Sequence, residues 1–290
     1  MIRALWPSRK FMWVSATDER AWTRLKDLQR AMTDWYSTHA DYYGTIDFTR
    51  DNWIFDAAYA WIIEATKDAQ SILEIGCGRA NILSHYPLLA SRYTGVDFSE
   101  ELIQTNSKRF PDARFGVLQS PFRLDFESAR FDLVISVFVL EHCVYPHLAL
   151  DEWVRVLKTG GRLLILCPDF LGRGLISSQR VGFSEGTGRE KLARGKFLDA
   201  MMTGVDTRLR MPIKTYICRR KARQQPQFFV NLAPTCFEDS FRPDVDAVYL
   251  TYEPEIISWL NERMSFVQAP PALRQYVCDR RMLAIQGRKR

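Results

Sequence analysis

The 290-residue chain is 47% hydrophobic and 26% charged, a globular mix that excludes a mainly disordered or collagen-like protein. No stretch approaches eighteen apolar residues without a charge, and Arg3, Arg9 and Lys10 break up the first fourteen residues. Neither a bilayer-spanning helix nor a secretory signal is therefore expected, and a cytoplasmic location without a membrane partner is the default.

Residues 19–36 place Ala21, Trp22, Leu25, Leu28, Met32 and Trp35 at intervals of three and four. That spacing predicts an amphipathic helix, with Thr17 and Asp18 where its cap belongs. A second helix is predicted over 50–67, apolar nearly all round. The period then changes. Residues 71–75 predict a short strand ending in Gly76-Cys77-Gly78, followed by a helix over 80–90. A second strand over 93–97 ends at Asp97, and Ser99 opens a helix over 99–109 with Glu100 and Glu101 in its first turn. A weaker third strand covers 113–118. The almost continuous apolar run 131–139 predicts a central parallel strand buried on both faces. A helix over 148–157 is expected to end at Gly160-Gly161, before a fifth strand over 162–167.

Strands alternating with helices at this rhythm predict an α/β fold: a doubly wound, Rossmann-like, seven-stranded and mostly parallel sheet. Beyond residue 170 the rhythm breaks, with strands expected at 227–231 and 247–251. A helix over 254–264 and strands at 265–269 and 282–287 then restore it. The expected organisation is a helical extension over 1–67, a core over 68–169 and 253–290, and an insertion over 170–252. The insertion leaves the sheet at the carboxyl ends of its strands, where ligands bind in such folds.

The net charge of +6 is unevenly placed: residues 171–223 hold 13 Lys/Arg against 4 Asp/Glu, and the rest 27 against 30. Such a local excess suggests a flap meeting an anion, with Arg219, Arg220 and Arg223 as candidates, although charge runs usually mean solvent exposure. The six cysteines form no C-x-x-C pair and the four histidines no H-E-x-x-H, so no metal site is expected.

A glycine pair between strand and helix permits a tight turn and close approach of a ligand to the backbone. Asp97 ends the next strand, where its carboxylate can accept hydrogen bonds from both hydroxyls of a ribose. Asn81 stands where a dinucleotide fingerprint wants Gly or Ala, which ranks a nicotinamide dehydrogenase last.

Glu74-Ile-Gly-Cys-Gly-Arg-Ala80 resembles the first motif of the class I S-adenosylmethionine-dependent methyltransferases, with Ala80 replacing its last glycine. Val96-Asp97-Phe98-Ser99, the run from Phe131 to His142, and Val156 to Ile165 are similar to three further motifs of that family, in the family's order. The resemblance implies S-adenosyl-L-methionine as cofactor. It implies that Glu74 orders the glycine loop, that Gly76, Cys77 and Gly78 lie against the methionine portion, and that Asp97 holds the ribose. Phe98 would pack on the adenine. Gln119 and Ser120 stand near its amino group, where the family often has an acid, and Val137 belongs to the same set. Tyr43, with Tyr42 beside it, is expected to meet the cofactor's carboxylate, or else to be an aromatic inter-helix contact. His142 is the candidate general base, weighed against a structural histidine. The leading expectation is methyl transfer to a small-molecule acceptor, with an anionic one among the candidates. The alternatives are methylation of RNA or another polyanion, which the lack of an aromatic-interleaved basic stripe makes less expected, and a non-catalytic nucleoside-binding protein.

Overall fold

In the computed structural model of the chain, residues 12–38, 56–120, 122–172, 187–234, 236 and 246–290 are described. Trp13–Ser15 (β1) precedes a 3-10 turn, Glu19–Ala21, and helix α1, Trp22–Thr38. The side chain of Asp18 accepts from the Arg20 amide and so caps this start, as expected. The buried face of α1 carries Leu25, Leu28, Met32 and Trp35 and continues that of Ala21 in the 3-10 turn, whereas Trp22 turns out to solvent. Helix α2, Asp56–Thr66, is the described part of the second predicted helix.

The central sheet follows. Ile72–Ile75 (β2), Tyr93–Asp97 (β3), Arg114–Val117 (β4), Phe131–Val137 (β5) and Leu157–Pro168 (β6) pair in parallel, in the order β4-β3-β2-β5-β6. Met282–Lys289 (β9) lies antiparallel against β6, and Met264–Gln268 (β8) lies antiparallel against β9. Seven strands, five of them parallel, match the expected sheet. Ile72, Leu73, Ile75, Leu133, Val134 and Ile135 are buried because apolar clusters cover both faces. The strand order reverses between β2 and β5. A crevice at the carboxyl ends of those two strands is where such sheets bind ligands.

Several boundaries differ from expectation for local reasons. The helix over 80–90 splits into α3, Asn81–His85, and a 3-10 segment, Pro87–Arg92. Pro87 lacks the amide that would continue the helix, and Tyr86 before it leaves the helical region, at φ −135° and ψ 69°. Helix α4, Glu100–Arg109, begins as expected, with Ser99 accepting from the Leu102 amide. Helix α5 runs over Pro146–Val156 with proline in its first turn, and it stops before the two glycines. Gly160, at φ +77°, instead lies inside β6, in the stretch where its register against β5 shifts between Phe131 and Leu133.

The described residues between 170 and 252 are far more helical than expected. Gly188–Ala193 (α6), Phe197–Val205 (α7), a π-type turn over Asp206–Arg210 and Met211–Gln224 (α8) fill its basic part. Phe229–Asn231 (β7) pairs antiparallel with β1, which ties the amino-terminal extension to the insertion. The strand expected over 247–251 reduces to one bridge, Val230 with Tyr249. Helix α9, Glu253–Asn261, returns the chain to the sheet, and α10, Arg274–Arg280, escaped the sequence pattern.

Candidate cofactor and acceptor site

The turn after β2 is built from its backbone outwards. Gly76 (φ +67°), Gly78 (φ +49°) and Ala80 (φ +52°) all adopt left-handed conformations. The amides of Gly76 and Cys77 both donate to the Val96 carbonyl, at 2.8 and 3.0 Å. Cys77 is buried, and its carbonyl accepts from the Ala80 amide at 2.8 Å. Burial also raises its thiol well above the ordinary range. Cys77 is thus the inner anchor of the turn, and the structure does not bring its side chain to the crevice. Gly78 is the opposite case: a Cβ built on it meets no atom of the described residues within 4 Å.

Asp97 closes β3 beneath this turn. Its Oδ2 accepts from the Gly78 amide at 2.8 Å and its Oδ1 from the Ser99 amide at 3.0 Å. Asn106 donates from α4 to the Gly78 carbonyl at 2.7 Å, which fixes the turn from its far side. Glu74 lies behind the turn, where the Tyr93 hydroxyl donates to its carboxylate. Complete burial, with the Asp97 charge nearby, pushes the Glu74 carboxyl from its ordinary 4.5 up to about 8, against the Tyr93 hydrogen bond.

Phe98 is half-buried and stacks on Tyr36, with centroids 6.0 Å apart and planes 8° apart. The hydroxyl of Tyr36 donates to Asp246 Oδ2 at 2.7 Å, and Nδ1 of His142 lies 3.2 Å from the same oxygen. Nε2 of His142 is 3.8 Å from Glu141 Oε1. Asp246 reaches this position because the amides of Val248 and Tyr249 donate to the Glu141 carbonyl at 2.9 and 2.8 Å. Past β4, whose end is tied to Asp97 by the Leu118 amide at 2.7 Å, Gln119 is exposed. The buried Ser120 hydroxyl has no hydrogen-bond partner among the described residues. Val137 ends β5 half-buried. Tyr42 and Tyr43 lie outside the described residues.

Residues 73–165 match the methyltransferase domain family. A ubiquinone biosynthesis O-methyltransferase of Maricaulis maris (strain MCS10) is 35% identical over 102 residues, 33% of this chain and 39% of that protein. Over residues 73–165 the chain thus carries a methyltransferase domain. A demethylmenaquinone methyltransferase of Paenarthrobacter aurescens (strain TC1) is 31% identical over 99 residues, 34% of this chain and 39% of that protein. The chain thus spans about two-fifths of the length of these curated relatives. The fold is also that of a Burkholderia thailandensis 1,6-didemethyltoxoflavin-N1-methyltransferase, solved with 1,6-didemethyltoxoflavin and S-adenosylhomocysteine bound. Here the TM-score is 0.50 at 17% identity, covering 90% of this chain and 89% of that one.

Within the methyltransferase domain, sequence reasoning selected Asp97, Phe98 and His142, and the structure gathers them through two residues that it missed. Tyr36 follows Met32 by four positions on the buried stripe of α1, a signal that was legible. Asp246 carried no local signal at all, since a tertiary crossing of the chain delivers it.

Proposed function

We propose that this chain binds S-adenosylmethionine across the turn Gly76-Cys77-Gly78 and transfers its methyl group to a small organic acceptor. The observation that carries the reading is the union, at the point where strand order reverses, of an open Gly78 with the Asp97 carboxylate. The residues present fit the group: a glycine whose Cβ position meets no described atom, an aromatic Phe98 and an unpartnered Ser120 hydroxyl follow the carboxyl ends of β2, β3 and β4 in turn. When bound, the cofactor supplies an electrophilic methyl on a sulfonium, open to in-line displacement.

The chain's own groups then have distinct tasks. Asp97 retains acceptor capacity beyond its two backbone amides and holds the ribose hydroxyls. Phe98 and Tyr36 form an aromatic wall that excludes water. His142 takes a proton from the acceptor, with the Asp246 carboxylate 3.2 Å from its Nδ1 to stabilise the imidazolium that forms. The similarity to enzymes named for ubiquinone biosynthesis and for methylation of demethylmenaquinone supports an acceptor of small-molecule class. Arg219 donates to the Leu171 carbonyl and Arg223 to the Tyr252 hydroxyl at 2.6 Å, so both brace the insertion. The proposal therefore carries no requirement that the acceptor be anionic.

Calorimetric titration with S-adenosylhomocysteine is the direct test. Saturable binding that weakens in Asp97→Asn is expected, and failure of the folded wild-type chain to bind would end the proposal.

A further inference from the structure

Residues 197–224 form a single helical rod. The residues at both junctions, Val205, Asp206, Arg210 and Met211, keep right-handed helical backbones, so α7, the π-type turn and α8 run on without a break. Pro212 removes one amide from the ladder close to the π-type turn, a usual cause of such an irregularity.

One face of the rod packs on the protein through Met211, Cys218 and Ala222, which join Phe170, Leu171 and Tyr252 in an apolar cluster. A second apolar face looks outward. Phe197, Met201, Val205, Leu209, Ile213 and Ile217 recur at every fourth position, with Leu198 and Tyr216 alongside. Phe197, Leu198, Met201, Leu209, Ile213 and Tyr216 are each between 53% and 68% exposed. A four-residue repeat drifts around an ideal α-helix of 3.6 residues per turn. The wider π-type turn offsets part of that drift and keeps the stripe on one side. Contiguous apolar surface of this kind marks an interaction site.

The chemistry around the stripe selects the partner. Residues 187–224 hold 11 Lys/Arg against 3 Asp/Glu. Glu190 is engaged in the cap of α6, and Asp206 pairs with Arg210 at 2.7 Å. Arg194, Lys196, Arg208, Arg220 and Lys221 are exposed. An apolar stripe bordered by cations fits a surface that is anionic outside and hydrocarbon beneath. Symmetric pairing with a second copy would bring two cationic faces together, which is unfavourable. A nucleic acid would leave the apolar side chains without a partner.

We propose that the rod over 197–224 is a docking face for anionic lipid bilayers, lying in the plane of the interface with Phe197, Met201, Ile213 and Tyr216 at the acyl boundary. Such docking differs from spanning: among the described residues no helix is long and apolar enough to cross a membrane. The inference stands apart from the methyl-transfer reading, and its test needs no activity.

Flotation of the full chain with phosphatidylcholine vesicles, with and without phosphatidylglycerol, is the experiment. The protein should float with the anionic vesicles, remain behind with phosphatidylcholine alone, and be released by salt. Combined Phe197→Ser, Met201→Ser, Ile213→Ser and Tyr216→Ser should abolish flotation while preserving a cooperative melt. The single substitutions Phe197→Ser and Tyr216→Ser give a graded loss should the combination not fold. Each of Arg194→Gln, Arg208→Gln and Arg220→Gln should lower partitioning about fivefold. No flotation on anionic vesicles, or flotation that the serine variants leave unchanged, would overturn the proposal. So would a lipid-free dimer in sedimentation velocity that the serine variants dissolve, since the face would then belong to a second copy.

Discussion

Nδ1 of His142 lies 3.2 Å from Oδ2 of Asp246, and that oxygen accepts a hydrogen bond from the Tyr36 hydroxyl at 2.7 Å. One buried carboxylate thus joins an aromatic residue from the amino-terminal helix to the histidine that follows β5. A base held in this way should reveal itself in turnover rather than in cofactor binding. His142→Gln is expected to lower kcat by about a hundredfold, the lower end of general-base contributions, and to leave S-adenosylhomocysteine affinity unchanged. Asp246→Asn preserves shape and should give a smaller fall in kcat with little change in KM. Steady-state kinetics of both variants with a working acceptor settle the point, and an unaltered kcat in His142→Gln makes the histidine structural.

Asp97 should separate from His142 by the opposite pattern. It accepts from the amides of Gly78 and Ser99 and carries the proposed ribose contact. Asn in its place keeps one acceptor oxygen and turns a donor toward one of those groups. Loss of a charged hydrogen-bond acceptor costs about 1.5–3 kcal/mol, so S-adenosylhomocysteine affinity should fall by one to two orders of magnitude. Calorimetry on Asp97→Asn reads this directly, and wild-type affinity would remove Asp97 from the site.

These two residues also mark how far local sequence reaches. Asp97, Ser99 and the glycine pair belong to a strand, turn and helix that are contiguous in sequence, so strand Tyr93–Asp97 and helix Glu100–Arg109 follow from short-range rules of alternation and capping. Asp246 depends on amides that cross to the Glu141 carbonyl, a pairing that no periodicity announces. The helices over 197–224 went unpredicted for another reason. Their arginines and lysines dominate a charge count, while the four-residue apolar repeat beneath them is visible only once attention shifts from composition to spacing. The pair Gly160-Gly161 looked like a helix stop, but the register shift in β6 uses it instead.

Glu74 makes stability depend on pH. Its carboxyl titrates near 4.5 when exposed, and burial raises it to about 8 in the fold. Between those values the folded chain holds a proton that the unfolded chain has released. Stability from this group is therefore complete below about pH 4.5 and is lost as pH rises toward 8, by up to roughly 1.4 kcal/mol per pH unit. His147 acts in the other sense: burial lowers it from 6.5 to about 4, so its contribution is lost as pH falls through that window. Comparison of wild type with Glu74→Gln cancels His147 and every other group. The variant should gain thermal stability relative to wild type as pH increases from about 5 to 8, and melting curves that run parallel over that range would contradict the assignment.

The two glycines of the turn should fail in different ways when each is given a methyl group. At Gly76 a Cβ would collide with Cγ2 of Val139 on the segment after β5, and φ is +67°. Gly76→Ala therefore carries both a backbone penalty of about 1–2 kcal/mol and a packing penalty. Adding Val139→Ala should relieve the second but not the first. At Gly78 the same methyl group enters open space at φ +49°, so the loss of stability should be limited to the backbone share. Ala80, at φ +52° in the same turn, shows that the chain carries an alanine in this conformation. If that open space is where the cofactor lies, Gly78→Ala should weaken S-adenosylhomocysteine binding more than it lowers the melting temperature, while Gly76→Ala should do the reverse. Melting and calorimetry on the two variants and the Val139 double variant supply the comparison. A Gly78→Ala chain that binds as well as wild type would show that the space above the turn is not the cofactor's.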